Sequence, residues 1–182
     1  MATTVYIWRT GGGSSNTAGA GSSLRRLSGQ PFLEWVSNEI GGFGHVAVEI
    51  AGRYTSYWPP EFEDEVRSVS LTHSEDTERC GREADRRIAI GRLGEAAMIT
   101  AWEEWSQEPF HEITHNCCTM SSRLLYRGTE AAAFRDRVRA TALATLDPLR
   151  SLWETYHHAI REETIHDPRQ VERFADHLAD LY

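Results

Sequence analysis

The segment from Phe43 to Trp58 reads as a β-hairpin, and it restricts the fold more than any other part of the chain. In Phe43-Gly44-His45-Val46-Ala47-Val48-Glu49-Ile50, Val46, Val48 and Ile50 fall on one side of an extended backbone, and His45, Ala47 and Glu49 fall on the other. Ala51-Gly52-Arg53 makes a tight turn, and Tyr54-Thr55-Ser56-Tyr57-Trp58 returns as a second strand that Pro59-Pro60 stops. An antiparallel sheet is therefore part of the fold.

Other strands and helices can be placed around this hairpin. Thr3-Val5-Tyr6-Ile7-Trp8 is β-branched and aromatic and suits a first strand, and Arg86-Arg87-Ile88-Ala89-Ile90 suits a later one. Gly11 to Ser23 is a flexible loop without the Gly-Lys-Ser/Thr ending of a phosphate-binding loop. Glu61 to Asp85 is strongly polar, with apolar alternation only at Val66, Val69 and Leu71, and reads as a long excursion with at most a short strand. Leu93, Ala97, Met98, Trp102 and Trp105 recur at helical spacing, giving a helix from Gly94 to Gln107 that Glu108-Pro109 breaks. Met120, Leu124 and Leu125 mark a second helix that starts at Cys117-Cys118. Glu130 to Tyr182 reads as helical throughout. One segment runs to Leu146, another after Pro148 carries Leu149, Leu152, Trp153, Tyr156 and Ile160, and a last one after Pro168 carries Val171, Phe174, Leu178 and Leu181. The expected class is α+β, a small antiparallel sheet packed on helices with additional C-terminal helices.

At 182 residues the chain suits a single domain, with a core of about residues 1–128 and a helical extension of about 129–182. A formal net charge of -8 opposes binding to phosphate backbones, so nucleic acid is not an expected partner. No stretch approaches the roughly 18 apolar residues that span a bilayer, and the N-terminus lacks a signal-sequence pattern. A cytoplasmic product is expected, and an effector exported without a signal peptide would read the same. The cysteines, Cys80, Cys117 and Cys118, are odd in number and two are adjacent, which suits a reducing compartment better than a disulfide framework.

A thiol attacks acyl carbons as thiolate, yet a free cysteine has a pKa of about 8.5, so activation needs a helix N-terminus and an adjacent imidazole. Cys117 follows Asn116, a good N-cap, and so falls in the first helical turn, where unpaired N–H groups favour negative charge and can hold an oxyanion. His45 opens a strand whose opposite face is apolar and is the candidate base. For the group that orients His45, Ser56, Tyr57 and Asp85 are the candidates, and Asp85 is preferred because it enters a strand with a full charge. His115 is a competing base that the N-cap geometry turns away, and Cys118 is the competing thiol. His157, His158, Glu154, Glu162 and His166 could suggest a metal site, but they lack a diagnostic pattern and read as a solvated helix face. Glu61-Glu63-Asp64-Glu65 reads as a solvated loop, with substrate gating as the alternative. Neither a metal nor an organic cofactor is expected.

Several runs carry a family resemblance. Gly44-His45-Val46-Ala47-Val48-Glu49-Ile50, Tyr54-Thr55-Ser56-Tyr57-Trp58-Pro59, Gly91-Arg92-Leu93-Gly94-Glu95-Ala96-Ala97-Met98-Ile99 with Trp102, and Asn116-Cys117-Cys118-Thr119 with Arg123-Leu124-Leu125 occur in that order. Over roughly residues 43–127 they resemble a bacterial group of permuted papain-like proteins, in which a Gly-His-Ala strand, a Tyr-x-Ser-x-Trp-Pro strand and an Asn-Cys-Ser-Thr helix start follow one another. Cys118 stands where that pattern has Ser. The resemblance implies a circularly permuted papain-like fold, as in NlpC/P60-type permutants and lecithin:retinol acyltransferase-like enzymes, with relatives among the Rho-inactivating acyltransferase domains of bacterial toxins. It assigns His45 and Cys117 as the catalytic pair. The expected activity is acyl transfer through a thioester, from a thioester, ester or amide donor to an amine or water, with proteins among the candidate acceptors. The alternatives are a cysteine peptidase or amidase, and a non-catalytic binding or toxin-associated module of the same fold.

Overall fold

The computed structural model describes residues 2–9, 44–59, 68–110, 115–129 and 167–181. The glycine-rich loop at Gly11–Ser23, the acidic run Glu61–Glu65, the helical segments expected from Glu130 to Leu146 and after Pro148, and the His157/His158 cluster lie outside the described residues.

Four strands, β1 (Ala2–Trp8), β2 (His45–Ile50), β3 (Arg53–Thr55) and β4 (Arg86–Gly91), form one antiparallel sheet in the order β3-β2-β1-β4. Four helices accompany it: α1 (His73–Cys80), α2 (Glu95–Trp105), α3 (Cys117–Thr129) and α4 (Pro168–Leu181). The protein is α+β. Because strand side chains alternate, the sheet has two separate apolar faces. Val5 and Ile7 of β1, Val46, Val48 and Ile50 of β2, and Ile88 and Ile90 of β4 form one face, buried under Met98, Trp102, Leu124, Leu125, Phe174 and Leu178 of α2, α3 and α4. Tyr6, Trp8 and Ala47 form the other, with Tyr54, Cys80 and Ala84 packed against them.

The hairpin turns through Ala51 and Gly52, with φ of 53° and 85°, and pairs Ile50 with Arg53. Two positive φ values in a two-residue loop match the right-handed twist of the strands, which is why Gly52 is suited to its place. The returning strand is shorter than the Tyr54–Trp58 segment suggests: it ends at Thr55, and Trp58 instead makes an isolated bridge to Val69 with both hydrogen bonds at 3.0 Å.

The polar excursion contains a helix that apolar periodicity does not reveal. Thr72 caps α1 by accepting from the Glu75 N–H, and the Glu75 carboxylate accepts from the Thr72 N–H, a reciprocal box, while Gly81 closes the helix at φ 68°. The last helix runs from Pro168 and carries the apolar residues expected of it. Val171, Phe174, Ala175 and Leu178 of α4 are at most 1% exposed and join the same core as the strands. Glu172 accepts from Arg9 and Arg86, and Asp176 accepts from Arg86, tying α4 to the ends of β1 and β4. Residues 168–181 are thus built into the core against the sheet.

Candidate active site

Cys117 is the first residue of α3, and Asn116 is its cap. The Asn116 side-chain oxygen accepts from the Cys118 N–H at 2.9 Å and the Thr119 N–H at 3.0 Å, while Thr119 Oγ1 accepts from the Asn116 N–H at 2.7 Å. The Cys117 N–H is not one of the two amides capped by Asn116. The helix dipole and these aligned amides favour an anion at the Cys117 sulfur. Cys117 keeps partial exposure, whereas Cys118 is buried in the core.

His45 begins β2, just after Gly44 at φ 66°, and is paired in register with Trp8 of β1. The imidazole is 1% exposed, with the Trp58 ring stacked on it at 4.2 Å and the Trp8 ring at 5.4 Å. Its Nε2 lies 3.0 Å from Asp76 Oδ2 and 3.3 Å from Ser56 Oγ, and β2 packs against α3, which brings the imidazole into the field of the Cys117 sulfur. With Nε2 committed to Asp76, Nδ1 is the nitrogen left for that sulfur.

Burial opposes the imidazolium, but the Cys117 charge and the hydrogen bonds to Asp76 and Cys117 outweigh it and raise the His45 pKa to about 9. Cys117 moves the opposite way. The Cys118 sulfur, 4.0 Å away, favours the anion most; burial works against it; then the His45 charge and the Val46 N–H help to hold Cys117 well below the ordinary thiol range. Burial first, and then the neighbouring Cys117, pushes Cys118 well above that range, so the two adjacent thiols have opposite character. The two shifts run in the direction that favours a thiolate on Cys117 and an imidazolium on His45.

Asp76 completes the chain from the fourth position of α1. It is 0% exposed, yet it accepts from His45, from Tyr54 Oη at 2.7 Å, from Ser56 Oγ at 2.9 Å and from Trp58 Nε1 at 2.6 Å. Burial alone would raise its pKa, but these donors keep the carboxyl below its ordinary value. The same bonds explain why the returning strand leaves the ladder after Thr55: Ser56 and Trp58 turn their polar atoms to Asp76. Arg79 covers the Trp58 ring at 4.9 Å, so helix α1 grips both the acid and the ring that stacks on the base.

The sequence reading named His45 and Cys117, which the fold brings together, and Asp85, which it does not. Asp85 accepts from the Arg9 N–H at 2.6 Å and pairs with Arg82 at 3.0 Å, fastening the end of β1 to the start of β4. The carboxylate facing His45 is Asp76. Of the other third-member candidates, Ser56 belongs to the network, while Tyr57 turns into the core and donates to the Glu108 carbonyl at 2.7 Å. His115 engages Glu108 and Arg123, and Arg123 lies over Trp105 at 4.4 Å. Among the described residues, no group of three or more His, Cys, Asp or Glu could hold a metal ion, and no helix is long and apolar enough to cross a membrane. No family model matches the chain, and neither the curated proteins nor the solved structures contain a match.

Proposed function

We propose that the protein is a cysteine-dependent acyl-transfer enzyme of the permuted papain-like type, with Cys117 as nucleophile, His45 as acid and base, and Asp76 as the group that orients His45. One observation carries this reading: a partly exposed sulfur at a helix N-terminus and a buried imidazole each favour the other's charged form, and the imidazole's Nε2 is held by a buried carboxylate. The permuted fold is supported by chain order, since the histidine strand β2 precedes the cysteine helix α3 and the two pack together.

In the proposed reaction the Cys117 thiolate attacks the carbonyl carbon of a thioester, ester or amide. The donor left at the start of α3 for the resulting oxyanion is the N–H of Cys117, because the Asn116 side chain already takes those of Cys118 and Thr119. Collapse breaks the bond to the leaving group, which takes the imidazolium proton, and the acyl group stays on Cys117 as a thioester. His45, now neutral, accepts a proton from an incoming amine or water. A second tetrahedral intermediate then releases the product and restores the thiolate–imidazolium pair. Asp76 keeps the His45 Nε2–H in place throughout, so Nδ1 remains the nitrogen that exchanges protons.

The test is intact-mass analysis after exposure to acyl-thioester and peptide-like probes. An acyl adduct is expected on the wild type, absent in Cys117→Ala and strongly slowed in His45→Ala and Asp76→Asn. Release of the adduct to added amines in preference to water distinguishes a transferase from a peptidase or amidase. An adduct lost in Cys118→Ala and retained in Cys117→Ala overturns the choice of nucleophile.

A further inference from the structure

Cys118 is a second thiol that the acyl-transfer steps leave unused. It is 2% exposed, its sulfur lies 4.0 Å from that of Cys117, and burial with the neighbouring Cys117 raises its pKa well above the ordinary thiol range. Cys80, the remaining thiol among the described residues, packs with Tyr6, Trp8 and Ala47 on the other face of the sheet from the core that holds Cys118.

We propose that Cys118 is a resolving thiol for Cys117: hydrogen peroxide oxidises Cys117 to a sulfenic acid, and Cys118 converts it to a reversible Cys117–Cys118 disulfide that stops the enzyme and spares the nucleophile. The proposal rests on the reading of Cys117 as a partly exposed thiolate.

In the first step the Cys117 sulfur attacks one peroxide oxygen. The S–O bond forms as the O–O bond breaks, and the departing hydroxide takes the His45 imidazolium proton and leaves as water. Sulfur loses two electrons and peroxide gains them. In the second step the Cys118 sulfur attacks the Cys117 sulfur. The S–S bond forms, the S–O bond breaks, and the departing hydroxide takes the Cys118 proton as a second water. The sum is two thiols and one peroxide giving one disulfide and two waters.

The geometry favours this partner and also makes the product labile. Oxidation of Cys117 removes the neighbouring negative charge, one of the causes that keep Cys118 protonated, so the resolving thiol becomes more acidic only when it is needed. Closing the bond requires the sulfurs to approach from 4.0 Å to about 2.05 Å. Adjacent Cα atoms sit about 3.8 Å apart, shorter than the usual disulfide span of about 4.4–6.8 Å. The bridge must therefore distort the first turn of α3, and a strained disulfide is readily reduced.

The test is intact mass and peptide mapping of the full chain after exposure to hydrogen peroxide, with and without later reduction by dithiothreitol. The expected wild-type product is about 2 Da lighter, carries the bridge within the Cys117–Cys118 peptide, and returns to the starting mass on reduction. Cys80→Ser is expected to behave the same way. Cys118→Ser and Cys118→Ala are expected to gain about 32 Da as sulfinic acid, at least about tenfold faster than wild type and resistant to dithiothreitol. A Cys117–Cys80 bridge, or wild-type sulfinic acid accumulating as fast as in the Cys118 variants, overturns the resolving role and leaves the thiolate reading intact. A wild-type Cys117 that peroxide does not oxidise overturns both. The wild-type peptide map reads the bridge even if a Cys118 variant fails to fold.

Discussion

Replacing Asp76 by Asn isolates what the buried carboxylate does, because it removes the charge and almost no volume. Asp76 Oδ1 accepts from Ser56 and from the Trp58 indole at 2.6 Å, and the indole can only donate, so the new side chain must keep its carbonyl oxygen there. Its NH2 group then faces Tyr54 and His45, the two groups that donated to Oδ2 at 2.7 and 3.0 Å. The Tyr54 hydroxyl can rotate and accept. His45 can accept only through an unprotonated Nε2, so its proton moves to Nδ1, the nitrogen facing Cys117. A neutral ring with that tautomer cannot take the thiol proton, and the imidazolium loses its carboxylate. By analogy with the same change in a serine triad, the rate of acyl-enzyme formation should fall about 100- to 10,000-fold, equivalent to about 3–5 kcal/mol of barrier.

The assay is alkylation of Cys117 by iodoacetamide across about pH 5 to 9, together with the rate of acyl adduct formation. Wild type should alkylate at a rate that stays level through neutrality, since the thiolate persists well below the ordinary thiol range. Asp76→Asn should instead follow an ordinary thiol, with its rise centred near about 8.5. Stability should drop by only about 1–3 kcal/mol, one mismatched buried donor, and circular dichroism separates that effect from lost reactivity. A folded Asp76→Asn variant with the wild-type alkylation profile and acylation rate would refute the role given to Asp76.

Stability should also respond to pH. His45, raised to about 9, contributes fully below about 6.5 and loses that contribution as pH rises through about 9, whereas the depressed Cys117 contributes above about 8.5 and loses that contribution as pH falls through its folded value. Between about 6.5 and 8.5 the folded pair and the unfolded chain each hold one proton, so the urea midpoint should be level; below about 6.5 the unfolded chain takes up a second proton and stability should fall by up to about 1.4 kcal/mol per pH unit. Gly128→Ala should lower the melting temperature by the equivalent of about 1–3 kcal/mol, because its Cβ would stand 2.5 Å from Met98 Sδ and 3.2 Å from Leu93 Cβ, where α3 crosses α2. Ala51→Asn should raise the urea midpoint, by about 0.5–1 kcal/mol, since Ala51 holds φ at 53° in the hairpin turn and Asn tolerates that region better.

The hairpin, the cysteine helix and the last helix could be read from the chain because each carries an apolar period bounded by Gly, Asn or Pro. Helix α1 carries none: Asp76 is its one buried residue, so its amphipathic signal is a carboxylate facing inward. The local signals were there, Thr72 three residues before Glu75 and Gly81 at the end, but they mark only the ends of a helix and say nothing about what it packs against. Asp85 enters a strand with a full charge, but strand order decides against it as the partner of His45. β1 lies between β4 and β2, so the start of β4 is two strand spacings, about 9–10 Å, from the start of β2. The Trp8–His45 register and the pairing of Ile7 with Arg86 place a whole strand between Asp85 and the imidazole. Such order is set by long-range packing of the two sheet faces and leaves no trace in local spacing.

The two adjacent thiols show how geometry, not residue type, divides the chemistry. Successive positions on a helix point about 100° apart, so the thiol at the first position of α3 can meet His45 while the next one enters the core. A buried hydroxyl at the second position would donate a stronger hydrogen bond to the thiolate than S–H does. Stabilising the nucleophile therefore gives no reason for sulfur there, and transfer of an acyl group through Cys117 does not use it. Reversible capture of an oxidised neighbour does require sulfur at that position, so Cys118→Ser separates the two uses: acylation by Cys117 should survive the substitution, and recovery from peroxide should not.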